Sequence, residues 1–194
     1  MNIPILLTLL RIGMIPVFVV AFYLPFDWGP ALCAVIFALA AATDWLDGWL
    51  ARRLGQTSAF GAFLDPVADK LMVAVALVLI VQADPRPAIA IPAAVIIGRE
   101  IAISALREWM AQVGARSRVS VVMVGKLKTV AQLVAITLML YASDTLGSTL
   151  YLIGCALLYA ATVLTLWSMT VYLISAIPVL REGGDVKERP ARSK

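Results

Sequence analysis

Apolar runs long enough to cross a bilayer follow one another along almost the whole chain, and this constrains the fold more than any other feature. A spanning helix takes about 20 apolar residues. Six such stretches can be drawn, at about 4–24, 30–52, 60–83, 86–110, 127–143 and 147–177. They break at Pro25-Phe-Asp-Trp-Gly-Pro30, Arg52-Arg53-Leu-Gly55, Ala83-Asp-Pro-Arg-Pro87, residues 111–126 and Ser143-Asp-Thr-Leu-Gly147. Proline, glycine and short polar side chains are the expected chain breakers there. Only 14% of residues are charged, against about a quarter in soluble domains. The expected architecture is an all-α integral membrane protein, a six-transmembrane-helix bundle over residues 1–180, with a polar, basic tail at 181–194. The first segment lacks a basic leader and holds Arg11 and Pro16 within its apolar run, so it reads as a retained helix, not a cleaved signal.

Lys and Arg placement sets the expected orientation. With the N-terminus cytoplasmic, the turns at 25–30, 84–87 and 143–147 face outward and hold one basic residue, Arg86; the other 15 of 16 lie toward the cytoplasm. Both termini are therefore expected inside. The chain has no histidine, which excludes imidazole catalysis and His-ligated metals. Cys33 and Cys155 each sit in an apolar run and read as core residues. Nothing in the pattern calls for a nucleic-acid partner.

Within this apolar chain stand four carboxylates, in Asp44-Trp-Leu-Asp47-Gly48-Trp-Leu-Ala51-Arg52 and Gly61-Ala-Phe-Leu-Asp65-Pro-Val-Ala-Asp69-Lys70. Asp44 and Asp47 are i,i+3 neighbours, and Asp65 and Asp69 are i,i+4 neighbours, so each pair shares a helix face. A short link lets the faces meet. As ordinary helix-end charges the acids would need Arg52, Arg53 and Lys70 as partners, and burying a charge costs about 2.5–3.5 kcal/mol at a helix centre. Four converging carboxylates are better explained by a divalent cation. Oxygen ligands alone favour Mg²⁺ or Mn²⁺. Gly48, Ala51 and Gly61 keep that face small, which leaves a ligand room for close approach.

The run D-x2-D-G-x2-A-R-x8-G-x3-D-x3-D from Asp44 to Asp69 resembles the diagnostic motif of the CDP-alcohol phosphotransferase family, matching every fixed position. The resemblance implies a six-helix fold, transfer of a phosphatidyl or similar group from a cytidine diphosphate donor to an alcohol with release of CMP, and a homodimer. Carried over, it assigns Asp44, Asp47, Asp65 and Asp69 to a divalent pair, with Asp69 also the general base. Gly48, Ala51, Arg52 and Gly61 would line the CDP pocket, with Arg52 near a phosphate. The chemistry of the residues agrees. A polyanionic donor needs cations to stabilise charge on the leaving phosphate, and an alcohol nucleophile needs a positioned base.

A second constellation is basic. Arg99 and Glu100 lie about 18 Å into the fourth segment, where an ionisable residue suggests function. As helix neighbours they point in different directions and are expected not simply to neutralise each other. Arg107, Arg116, Arg118, Lys126 and Lys128 follow, with Lys128 and Gln132 on one face. Such a cluster suits an acceptor phosphate, although the positive-inside rule alone would also place it there. The runs Asn2-Ile-Pro4-x3-Thr8-x2-Arg11, Gly98-Arg99-Glu100-x3-Ser104-x2-Arg107-Glu108 and Gly125-Lys126-x-Lys128-Thr129-x2-Gln132 resemble the bacterial branch of that family whose acceptor is glycerol 3-phosphate. The expected reaction joins CDP-diacylglycerol to glycerol 3-phosphate among membrane lipids of the bacterial cytoplasmic membrane. The phosphate would be gripped by several of Arg99, Arg107, Arg118, Lys126 and Lys128. Inositol phosphate, serine or phosphatidylglycerol are alternative acceptors. A divalent-cation transporter is the rival of another class, but it would place its acids near the midplane, not at one boundary beside arginines.

Overall fold

The computed structural model describes the backbone of residues 3–54, 59–112 and 122–182, and the side chains of 5–43, 61, 63–110 and 127–177. Six α-helices account for it: α1 (Ile3–Tyr23), α2 (Gly29–Leu54), α3 (Ala59–Ala83), α4 (Pro87–Gln112), α5 (Val122–Tyr141) and α6 (Thr149–Glu182). No strand occurs among the described residues. Four helices match the sequence expectation to within two residues, and α6 runs five residues past its expected end. The fifth begins at Val122, inside the stretch expected to be a break, because Val122, Met123 and Val124 continue an apolar run that glycine at 125 weakens but does not end. The expected tail lies almost wholly outside the described residues; α6 reaches Glu182.

The helices pack by a few large contacts. α1 lies on α2 and α3, α2 on α5, α4 on α6 and α3, and α5 on α6. Phe18, Phe37, Leu77, Ile80, Ile136, Met139, Leu140 and Leu158 are fully buried in one continuous core. The outer surface is also apolar: Leu6, Val17, Leu39, Val78, Ile91, Ile101, Val163, Trp167 and Ile174 are all more than half exposed. A soluble bundle would put polar residues there, whereas helices apolar on every side suit lipid. The stretches Ile5–Tyr23, Pro87–Met110 and Thr149–Ile177 are long and apolar enough to cross a membrane, and α2 and α5 hold shorter apolar runs, Gly29–Thr43 and Leu127–Tyr141.

The described turns gather at one end of the bundle. At that end the 24–28 and 142–148 turns and the end of α3 surround a cavity of about 240 Å³ lined by Phe22, Gly29, Ala83 and Ser143 among others. Asp84, fully buried, accepts from Arg86 Nε at 2.7 Å and Nη2 at 2.6 Å and from the Tyr151 hydroxyl at 2.6 Å. The Arg86 guanidinium holds this carboxyl down to about 2, against the opposing effect of burial. It therefore stays ionised at any physiological pH and ties the start of α6 to the α3–α4 turn. The predicted site residues lie away from this end, from the middle of the bundle toward the opposite end.

Candidate active site

Asp65 and Asp69 stand one turn apart in the first half of α3, and both are half-buried. The fully buried Ala68 between them faces the core, so the carboxylates lie along the edge of the packed face. Pro66, within this turn, supplies no N–H to the helical ladder. The Thr8 hydroxyl of α1, itself completely buried, donates to Asp65 Oδ1. Gly61 is buried one turn before Asp65. Lys70, next to Asp69, donates to Ser104 Oγ and so ties α3 to α4.

Asp44, Asp47, Gly48, Ala51 and Arg52 lie on the last three turns of α2, which packs on α3 and leads directly into it; their side chains are outside the described residues. Among the described residues no group of three potential ligands is assembled. The donor set itself fits a hard cation. Asp65 and Asp69 present oxygens from adjacent turns, and a neighbouring hydroxyl orients one of them, as outer partners of metal-binding carboxylates do.

The basic cluster is built from α4, α5 and α6. Arg99 of α4 donates through Nη1 to Glu100 Oε1 at 2.7 Å and through Nη2 to Ser168 Oγ of α6 at 2.8 Å. Lys128 of α5 reaches the same Glu100 oxygen at 2.6 Å. The expectation that Arg99 and Glu100 would not neutralise each other is therefore corrected. Their Cα–Cβ bonds do diverge, but the long arginine stem lets the guanidinium turn back across the helix. Gln132 shares the buried face of α5 with Lys128, as the spacing requires. Arg107, two turns along α4, is exposed, with its guanidinium 4.9 Å from the Tyr172 ring centre and bonded to that hydroxyl at 3.2 Å. Arg116 and Arg118 are outside the described residues. Lys126 is on α5 with its side chain also outside them.

Several contributors carried no sequence signal. Ser168 and Tyr172 sit in a helix with no charged residue between Thr149 and Val179. Their spacing of four is common to any helix face. Thr8 was visible only as part of the N-terminal run, 57 residues from the aspartate it touches.

A membrane-type bundle with paired carboxylates on one helix and a lysine–arginine cluster on the next two defines a phosphoryl-transfer class of protein. The CDP-alcohol phosphatidyltransferase family model matches residues 1–175, and the chain belongs to that family. It is 58% identical over 176 residues to a CDP-diacylglycerol–glycerol-3-phosphate 3-phosphatidyltransferase of Sodalis glossinidius, covering 91% of this chain and 95% of that one. Identity is 58% over 175 residues to the protein of that name from Pectobacterium atrosepticum, with 90% and 94% covered. It is 57% over 176 residues to the one from Yersinia pestis strain Pestoides F, with 91% and 95% covered.

Proposed function

We propose that this chain transfers the phosphatidyl group from CDP-diacylglycerol to glycerol 3-phosphate, giving phosphatidylglycerol phosphate and CMP. Near-full-length identity to relatives named for that reaction supports the reading. The observation that carries it at the level of chemistry is the pairing of Asp65 and Asp69 on one face of α3, beside a cationic cluster suited to a phosphate.

The working arrangement has six spans, both termini on the cytoplasmic side, residues 1–180 as the catalytic membrane domain and 181–194 as a basic tail at the lipid surface. It is a homodimer of the bacterial cytoplasmic membrane. Asp44, Asp47, Asp65 and Asp69 would hold a pair of divalent ions, Mg²⁺ first and Mn²⁺ second by ligand hardness. Held by these aspartates, such ions would supply positive charge against the donor pyrophosphate and the departing CMP. Thr8 keeps the Asp65 carboxylate in one orientation. Gly48, Ala51 and Gly61 leave room for the nucleotide, and Arg52 contacts one of its phosphates.

Arg99, Arg107, Lys126, Lys128 and, from the 113–121 segment, Arg118 receive the acceptor phosphate. This aims the terminal hydroxyl at the donor. Asp69 takes the proton of that hydroxyl as its oxygen bonds to the phosphorus bearing diacylglycerol. The bond from that phosphorus to the bridging oxygen breaks, and CMP departs with the electron pair. With no histidine in the chain and no nucleophilic pair, a single displacement fits better than a covalent intermediate.

The test is CMP release by purified protein in mixed micelles of CDP-diacylglycerol with Mg²⁺. Glycerol 3-phosphate, inositol phosphate, serine and phosphatidylglycerol are supplied separately. Release is expected only with glycerol 3-phosphate. Asp69→Asn should lose at least two orders of magnitude, the usual weight of a general base. Release with a different alcohol would move the acceptor assignment, and none with any would overturn the transferase reading.

A further inference from the structure

The acceptor cations already have an anion. One oxygen of Glu100 accepts from both Lys128 Nζ (2.6 Å) and Arg99 Nη1 (2.7 Å). The three groups differ in exposure in a telling way. The Lys128 and Arg99 side chains are 6% and 9% exposed, whereas Glu100 is 26% exposed. The cations are fixed in the interior, Arg99 by Ser168 on its other arm. The carboxylate is the member nearest water, so it can leave the cluster at lower desolvation cost than either partner.

The cluster is also incompletely satisfied. Arg99 Nε is buried and has no hydrogen-bond partner among the described residues. A buried donor without an acceptor is costly and calls for explanation. Glu100 approaches from the Nη1 side and leaves Nε unserved. A phosphate monoester, with three terminal oxygens, can engage a guanidinium along an edge and still reach a lysine. Charge points the same way. Within the Arg99–Glu100–Lys128 triad, a phosphate dianion alone would balance the two cations, and Glu100 left in place would add a repelling charge against it.

Resting on the reading that this cluster takes the acceptor phosphate, we propose that Glu100 is a resident counter-anion that the phosphate displaces. It is a positioning residue that sets acceptor affinity, not one that touches the reacting atoms. Substrate and product both carry the same phosphate monoester. A competing carboxylate therefore weakens the hold on both and lets the phosphorylated lipid leave.

Glu100→Gln keeps the shape and removes the charge. Inorganic phosphate, used as a competitive inhibitor against glycerol 3-phosphate, should bind the variant more tightly by about tenfold, the scale of one close charge at partial burial. KM for glycerol 3-phosphate should fall in parallel, without a matching rise in kcat. A carboxylate that merely organises the lysine predicts the opposite, weaker phosphate inhibition and a higher KM. That result, or an unchanged inhibition constant, overturns the proposal. Glu100→Asp keeps the charge but is too short to hold both cations, and should shift phosphate inhibition the same way by a smaller factor. Protection of each variant by inorganic phosphate against thermal unfolding gives the same comparison without turnover. The two readings fail separately. A wild-type protein inactive with glycerol 3-phosphate sinks the acceptor assignment, whereas an active one whose Glu100 variants do not tighten phosphate binding sinks only this proposal.

Discussion

At the scale of single residues, carboxylates stand out in a sequence against an apolar background, and the spacing of Asp65 and Asp69 follows the helix repeat that α3 shows. What a sequence does not display is the hydroxyl that steadies one of them. Thr8 belongs to α1 and Asp65 to α3, and only the packing of those helices brings them together. Completely buried at 0% exposure, Thr8 can do little but donate inward. Replacing it by valine keeps the volume and removes the donor, so Asp65 is free to rotate. Thr8→Val is expected to raise the Mg²⁺ concentration for half-maximal activity by roughly tenfold, the usual weight of an outer-shell partner. The Mg²⁺ dependence of thermal stabilisation, read without substrates, should shift by the same factor. An unshifted Mg²⁺ curve would mean that the Thr8 hydroxyl serves only to satisfy the interior.

At the scale of elements, helix ends were read well where proline or glycine coincided with a charge, and less well where one signal stood alone. α4 starts at Pro87 after Asp84-Pro-Arg, a stop no helix former could override. α5 starts before Gly125, since a single glycine costs only about 1 kcal/mol in a helix. Contacts between helices were the least legible level. Glycine at 154 looks like any small residue in an apolar run, yet a Cβ there would lie 2.7 Å from Met139 Cγ, 3.2 Å from the Ala135 carbonyl and 3.3 Å from the Met139 nitrogen. Two of these are backbone atoms of α5, which cannot yield without moving the helix. Gly154→Ala should therefore destabilise by about 1–3 kcal/mol, as overpacked cores do. Gly13 on α1 has nothing within 4 Å of such a Cβ, and Gly13→Ala should be neutral or gain up to about 1 kcal/mol from helix propensity. Thermal midpoints of both variants in one detergent test the contrast. Equal effects would mean that α5 and α6 have slack at their crossing.

At the scale of the whole molecule, charge separates the two ends. The end formed by the 24–28, 84–86 and 142–148 turns carries Asp27, Asp84 and Asp144 with Arg86 as its one basic residue, and Arg86 is committed to Asp84. The opposite end holds the last two turns of α2 and α4, which carry Arg52, Arg53 and Arg107. Such asymmetry is what the retention of Lys and Arg in the cytoplasm would produce. In that orientation the carboxylates of α3 would lie toward the side where a water-soluble phosphate acceptor is available. Cysteine labelling decides the orientation. Cys33 is buried and Cys155 half-buried, so changing both to serine gives a quiet background. In it, Asp27→Cys, on an exposed turn residue, should react with a membrane-impermeant maleimide in intact cells. Ser193→Cys, in the basic tail, should react only after the membrane is opened. The reverse pattern would place both termini and the aspartates of α3 outside. Charged glycerol 3-phosphate would then have to be supplied from beyond the cytoplasm, and the acceptor proposed here would lose its main physical support.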